Sequence, residues 1–315
     1  MGRLFSVFLL ATILLGGFLI IRHDKLTLES PVGKVIGTSK AEIKNNWFPR
    51  ISTHKLNNTG PAVSAKSAIA VDFATGEVIL ERNSQERLPV ASTQKIMTAL
   101  IVFENAELDK MFVVSKKAAG VGENSMGLTA GEKLVVRDLL YGLMLVSGND
   151  AAVALAEGVA GSEEAFVQMM NAKASALGLK NTKFTNASGL DEDGKEQYSA
   201  AYDLAVIARY TWENYPEFRK ISSTVGEYID ANAYHKAFDL YNDTNLLTTY
   251  PGVRGIKPGF TWEAGLCLVT YAENENKKIL AVILGSDDRR GEMKEILDYS
   301  FSFYGVKILH PALDL

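Results

Sequence analysis

The sequence predicts an α/β fold of the α+β type: an antiparallel sheet drawn from both ends of one domain and packed by helices that fill its middle. Three observations predict it. A hairpin pattern opens the domain at residues 68–80, helical patterns dominate residues 93–213, and two apolar runs followed by a last helical stretch close it at residues 265–304. Strands grouped at the ends, rather than alternating with helices, argue against parallel βαβ units. They favour a sheet that brings distant parts of the chain into one site.

Residues 4–21 (LFSVFLLATILLGGFLII) are uncharged and lie between Arg3 and the cluster Arg22, His23, Asp24 and Lys25. Eighteen uncharged residues reach the threshold length for crossing a bilayer, and no Ala-x-Ala-like cleavage site follows Ile21. Residues 1–22 therefore read as an uncleaved signal anchor or transmembrane helix, with an orientation that the flanking charges do not fix. Residues 23–62 are polar and are interrupted by Pro31, Gly33, Gly37, Pro49, Gly60 and Pro61, with only Trp47 and Phe48 sticky, so they read as a stalk. The domain is expected over residues 63–315. Its opening hairpin joins residues 68–73 (AIAVDF) to 77–80 (EVIL) through Ala74-Thr75-Gly76.

Helices are expected over 93–104, 136–146, 151–160, 164–177 and 203–213. Gly178 stands at a C-cap position after the fourth, and Pro216 follows the fifth. Residues 265–271 and 279–285 form a strand pair across the charged turn ENENKK, and a helix is expected over 292–304.

Composition narrows the function. The chain has 315 residues, 47% hydrophobic and 22% charged, which is the range of globular proteins. A net charge of -4 and a pI near 5.7 give no basic footprint for nucleic acid. A lone cysteine, Cys267, excludes an intrachain disulfide, and four histidines leave little for a Cys/His zinc site. Cys267 lies in an apolar run and reads as a buried structural thiol.

Three segments carry chemistry. Ser92-Thr93-Gln94-Lys95 opens an apolar helix, with Ser92 at the N-cap or in the first turn, and the i, i+3 spacing puts Ser92 and Lys95 on one face. A serine hydroxyl becomes a nucleophile when a base removes its proton, and a lysine becomes that base when burial or a neighbouring cation lowers its pKa. Ser147-Gly148-Asn149 forms a tight loop between two buried helical patterns and presents Ser147 and Asn149 inward. Lys257-Pro258-Gly259-Phe260 precedes the apolar strand pair.

Together, in this order, the three resemble the Ser-x-x-Lys, Ser-x-Asn and Lys-Thr-Gly motifs of penicillin-binding proteins and serine β-lactamases. The segments LPVASTQKIMTAL, DLLYGLMLVSGNDAAVALAE, FTNASGLD, YSAAYDLAVIARY and YPGVRGIKPGFTWEAGLCLV resemble more specifically the low-molecular-weight D-alanyl-D-alanine carboxypeptidases, over roughly residues 64–305. The resemblance implies a β-lactamase/transpeptidase-like fold with about five strands and a helical subdomain. It also implies a serine peptidase that removes the terminal D-alanine from peptidoglycan stem peptides, takes β-lactams as covalent inhibitors and needs no cofactor or metal. Ser92 would be the nucleophile, Lys95 its base, and Ser147 the proton relay to the leaving D-alanine. Asn149 would bind the substrate amide and Lys257 its carboxylate. The backbone N–H groups of Ser92 and Phe260, the latter just past Gly259, would hold the oxyanion.

The chain departs from the family at Pro258, where threonine is usual. On an extended strand the N–H groups at i and i+2 share a side, so Pro258 should face the cleft with Phe260 and leave the ladder intact. Arg289 or Arg290 is expected to supply the lost carboxylate contact, because guanidinium pairs with carboxylate in bidentate fashion. Asp203 is expected either to order a loop near the site or to cap its own helix. Two other readings use the same fold. A β-lactamase would need a Glu-x-x-Leu-Asn segment that is absent between Ser147 and Lys257, and a silent wall-binding protein draws its support from Pro258 alone.

Overall fold

The computed structural model describes residues 46–50, 60–244 and 246–310. Strands β1 (Ser67–Asp72) and β2 (Val78–Arg82) form the opening hairpin. A 3-10 turn (Ala91–Gln94) leads into α1 (Lys95–Asn105). Then come β3 (Met111–Val113), α2 (Lys116–Ala119), β4 (Lys133–Val135), α3 (Val136–Met144), α4 (Asn149–Ala160), α5 (Glu163–Ala176), α6 (Ala201–Asn214) and α7 (Pro216–Ser222). After β5 (Gly226–Ile229), β6 (Phe238–Tyr241) and α8 (Leu246–Thr249), the domain closes with β7 (Val253–Thr261), β8 (Gly265–Asn274), β9 (Lys277–Ser286) and α9 (Arg289–Ser302).

The main sheet has five antiparallel strands in the order β2-β1-β9-β8-β7. The hairpin from the start of the domain thus completes the sheet made at its end, as expected from sequence. Both faces are covered, so the strands are apolar in both phases of the two-residue repeat. Ile69, Val71, Leu280, Val282, Val269 and Tyr271 enter the large core shared with α1 and α3–α6. Their alternates Ala68, Ala70, Ile279, Ala281 and Ile283 pack with Met293, Ile296, Leu297 and Phe301 of α9 in a second core.

Helix α1 is buried from Lys95 to Phe103, which explains why its pattern is continuously apolar rather than amphipathic. Local signals fix other ends. Ser162 Oγ accepts from Ala165 N to cap α5, and Gly178, at φ +76°, ends it.

Residues 46–50, expected within a stalk, are instead held on the domain. Trp47 is 8% exposed and joins the large core, and the Arg209 guanidinium lies 5.3 Å from the centres of both the Trp47 and Phe73 rings. Arg50 pairs with Glu77 as a short parallel bridge, its N–H donating to Gly76 O at 2.7 Å. An indole beside an apolar hairpin is buried rather than left in water. The predicted anchor at residues 1–22 and most of the predicted stalk lie outside the described residues. Among the described residues no helix is long and apolar enough to cross a membrane.

Candidate active site

Ser92 lies in the 3-10 turn rather than at a helix N-cap, and its hydroxyl caps no backbone N–H. The preceding Ala91 has φ +48°, a left-handed conformation costly for a residue with a side chain and characteristic of strained functional turns. Two glycines hold the turn by direct backbone contact. A Cβ on Gly259 of β7 would lie 3.0 Å from the amide nitrogens of both Ser92 and Thr93, and one on Gly189 would lie 2.3 Å from Ala91 O. Only glycine permits both approaches.

Lys95, wholly buried at the start of α1, meets three oxygens. Its Nζ lies 2.9 Å from Ser92 Oγ, 2.7 Å from Asn149 Oδ1 and 2.6 Å from Ser188 O. Burial pushes its pKa well below the usual lysine value and the nearby Lys257 cation adds to this, while Asp243, Asp150 and Glu123 oppose it. A neutral amine has two N–H donors and one lone pair. The carbonyl oxygens of Asn149 and Ser188 can only accept and occupy both donors, which leaves the lone pair for the Ser92 hydroxyl proton.

The second wall comes from the turn between α3 and α4. Ser147 has φ +59°, and its Oγ is buried without a hydrogen-bond partner. Asn149 is oriented from both ends of its amide, since Oδ1 accepts from Lys95 and Nδ2 donates to Gly122 O at 3.0 Å. Asp150 next to it organises the facing loop, its carboxylate accepting from Ser125 Oγ and from the backbone N–H groups of Met126, Gly127 and Leu128.

The third wall is β7, the edge strand. Lys257 is wholly buried, with Nζ 3.4 Å from Asp243 Oδ1. Burial lowers its pKa and Arg289 adds to this, against the opposing carboxylate of Asp243. Pro258 pairs with Leu268 and lines the cleft with Gly259 and Phe260. The strand continues through it because the missing N–H belongs to the open side. The Arg289 guanidinium lies in the cleft and donates from Nη1 to Gly259 O at 3.0 Å, whereas Arg290 is exposed and does not line it.

Of the residues singled out from sequence, Ser92, Ser147, Asn149, Gly259, Phe260 and Arg289 line one cleft, and the wholly buried Lys95 and Lys257 reach its lining from behind, at Ser92 and Asn149 and at Asp243. Several neighbours were not singled out. Asp243 and Glu123 were missed because lone acidic residues in polar segments carry no pattern. Ser188 and Gly122 were missed because they contribute backbone oxygens, which any residue could supply. Asn186 holds the Ser188–Gly189 turn, its Oδ1 accepting from Gly189 N at 2.7 Å; the segment FTNASGLD had marked this stretch without assigning roles within it. Asp203 sits in the first turn of α6 and caps nothing there. Its carboxylate accepts from Asn181 N and Thr182 Oγ1, both at 2.8 Å, so it orders a loop rather than capping its helix, and that loop is not among the residues lining the cleft. Cys267 is buried, its thiol pushed up to about 11 by burial.

This arrangement supplies a serine with an adjacent amine base, a second hydroxyl free to pass a proton, and cations at one end of the cleft for an anionic group. It fits acyl transfer.

Comparisons with known proteins agree. The family model for D-alanyl-D-alanine carboxypeptidase matches residues 54–288. The chain is 41% identical over 251 residues to the D-alanyl-D-alanine carboxypeptidase DacF of Bacillus subtilis, a match covering 77% of this chain and 64% of that protein. It is 34% identical to DacC of Escherichia coli, over 78% of this chain and 63% of that protein. These matches span just under two thirds of the two relatives' length. Among solved structures, the Streptomyces K15 DD-transpeptidase superposes with a TM-score of 0.72 at 31% identity, covering 78% of this chain and 99% of the other. The D-alanyl-D-alanine carboxypeptidase of Mycobacterium tuberculosis gives the same TM-score and identity over 77% and 92%. With its motifs gathered in one cleft and a family model matched over most of its length, the chain belongs to the D-alanyl-D-alanine carboxypeptidase family.

Proposed function

We propose that the protein is a serine D-Ala-D-Ala carboxypeptidase acting on peptidoglycan stem peptides. The observation that carries this reading is the hydrogen bonding of Lys95, whose two acceptor-only partners leave its lone pair for Ser92. Lys95 takes the hydroxyl proton as Ser92 Oγ bonds to the carbonyl carbon between the two D-alanines. The charge that gathers on the carbonyl oxygen is met by the backbone N–H groups of Ser92 and Phe260. The C–N bond then breaks, and Ser147 passes a proton to the departing amine. Water hydrolyses the Ser92 ester and regenerates the enzyme.

Asn149 holds the substrate amide, while Lys257 and Arg289 receive the C-terminal carboxylate. Arg289 makes up for the hydroxyl that Pro258 lacks, so Arg289→Ala is expected to raise KM for a D-Ala-D-Ala peptide several-fold with little change in kcat. An unchanged KM would remove Arg289 from this role. β-Lactams would acylate Ser92 by the same route. The substrate places the domain of residues 63–315 outside the cytoplasmic membrane, with residues 1–22 as its anchor.

The decisive experiment compares D-alanine release from a muramyl pentapeptide by wild type, Ser92→Ala and Lys95→Ala, beside labelling with a fluorescent penicillin. Release and labelling by wild type alone support the reading. Absence of both from wild type would leave a wall-binding protein, and faster turnover of penicillin than of peptide would make it a β-lactamase.

A further inference from the structure

The cleft contains a carboxylate for which the proposed steps have no use. Asp243 lines it together with Pro258, Gly259 and Arg289, the part that would receive the substrate's C-terminus. Its backbone is held on both sides. Asp243 N donates to Leu145 O at 3.0 Å, two residues before Ser147. The preceding Asn242 donates from Nδ2 to Thr224 O at 2.9 Å and accepts at Oδ1 from Thr244 N at 2.9 Å. The Asp243 side chain, by contrast, holds no segment in place. Asp150 commits its carboxylate to the Ser125 hydroxyl and to several backbone N–H groups. Among the described residues the Asp243 carboxylate meets one donor, Lys257 Nζ at 3.4 Å. That is longer than the roughly 2.7–2.9 Å of a closed charge-assisted hydrogen bond.

An acid in this position acts on all three cations described above. Its charge is felt at Lys95, Lys257 and Arg289, and Glu123, which also lines the cleft, is felt at Lys95. At Lys257 the charge has two opposite consequences. It favours the protonated amine against burial and against the Arg289 cation, which keeps a positive charge in reach of the substrate. It also sets an anion against the same ammonium that a substrate carboxylate must reach, and two like charges beside one cation repel each other. The 3.4 Å separation is close enough for the charge to be felt and too open for Asp243 to satisfy Lys257. An arriving carboxylate is therefore received, but against the Asp243 charge.

We propose that Asp243 is a specificity-determining residue for the known family reaction, an internal anion that keeps Lys257 charged and at the same time weakens the grip of the cleft on a ligand's carboxylate. This rests on the carboxypeptidase reading, and its test separates the two. Two substrates with one acyl group are compared: Nα,Nε-diacetyl-L-lysyl-D-Ala-D-Ala, and the para-nitrophenyl ester of Nα,Nε-diacetyl-L-lysyl-D-alanine. Both acylate Ser92 through Lys95, and only the peptide brings a carboxylate. The ratio of their kcat/KM values, peptide over ester, therefore isolates carboxylate recognition and cancels any change in the base. Asp243→Asn is expected to raise this ratio about tenfold at about pH 6, the effect of one unit charge a few ångströms away in a partly solvated cleft. Asp243→Glu retains the charge and should stay within a few-fold of wild type.

The pH profile gives a second readout. The ratio falls as Lys257 loses its proton, and because Asp243 raises the pKa of that amine, the fall should come at lower pH in Asp243→Asn than in wild type. A merely structural role would lower both substrates together and leave the ratio and its profile in place. The proposal is overturned if wild type releases D-alanine but Asp243→Asn leaves the ratio unchanged, lowers it at every pH, or keeps its fall at the wild-type pH. A wild type that releases no D-alanine from the peptide overturns the carboxypeptidase reading and the proposal with it.

Discussion

Lys95 has three hydrogen-bond directions, and two of them end on atoms that can only accept, Asn149 Oδ1 and Ser188 O. The third reaches Ser92, so in the proposed mechanism the protonation state of one amine sets the activity. Its pKa is depressed, first by burial and then by the Lys257 cation, so the base form is present above a pH that lies below the ordinary lysine value. The acid limb of kcat/KM for acylation by a β-lactam is therefore expected well below pH 10.5. Lys257→Met removes the neighbouring cation and leaves Asp243 facing Lys95, and both changes raise the Lys95 pKa. The limb should move to higher pH whatever happens to the plateau, and a limb that stays in place would show that Lys257 does not tune the base.

Ser147 offers a different contrast. Its hydroxyl is buried and unpartnered, so Ser147→Ala strands no other group and should change Tm little, while kcat falls on the order of 10²-fold or more if the hydroxyl carries a proton. Thermal denaturation and turnover measured on one preparation check this. At this scale the sequence was legible wherever a side chain does the chemistry, because Ser92 and Lys95 at i, i+3 can meet from one helix face. Where backbone oxygens or a lone acid build the site, as with Ser188, Gly122 and Asp243, no residue type was required and no signal existed.

The elements meet at glycines. Strand β7 approaches the Ser92 turn so closely that a methyl group on Gly259 would contact the Ser92 and Thr93 amides at 3.0 Å, and Val90 O at 3.1 Å. Those neighbours are backbone atoms within a buried turn, so strand or turn must shift by a few tenths of an ångström. That shift separates the two N–H groups proposed to share the oxyanion. Gly259→Ala is expected to lower the acylation rate on the order of 10²-fold, at a stability cost of about 1–3 kcal/mol. Acylation within a few-fold of wild type would mean that this contact does not set the oxyanion geometry.

Strong periodicity made most of these elements readable: α3, α5, α6, β8 and β9 lie within a few residues of their expected bounds. The two-stranded sheets β3–β4 and β5–β6 escaped because each strand has only three or four residues and pairs with one partner, too short for alternation to register. The turn holding Ser92 read as the start of a helix because its residues suit either state. Tertiary contact with Gly189 and Gly259, invisible locally, accompanies the tighter form.

Across the whole molecule, the sheet joins residues about two hundred positions apart, β1 pairing with β9 from Ser67↔Leu284 to Asp72↔Ile279. Both ends of the domain must be in place before the catalytic cleft has a floor. The hairpin is in turn backed by the segment at 46–50, where Trp47 enters the core, Arg209 lies over its ring, and Arg50 exchanges hydrogen bonds with Gly76 and Val78. Among the described residues, contacts with the domain therefore begin as early as Trp47, ahead of the expected start at residue 63.

Two truncations separate the possibilities. A chain beginning at residue 46 keeps these contacts and should match the full-length protein in Tm and in D-alanine release, while leaving the membrane fraction if residues 1–22 are the anchor. A chain beginning at residue 60 loses the buried indole, a change of about 3–5 kcal/mol for a core aromatic, and should melt roughly 5–10 °C lower. Because the loss falls on β1 and β2, at the far edge of the sheet from β7, its kcat at low temperature should remain near that of the longer chain. Equal melting temperatures for the two truncations would return residues 46–50 to the stalk.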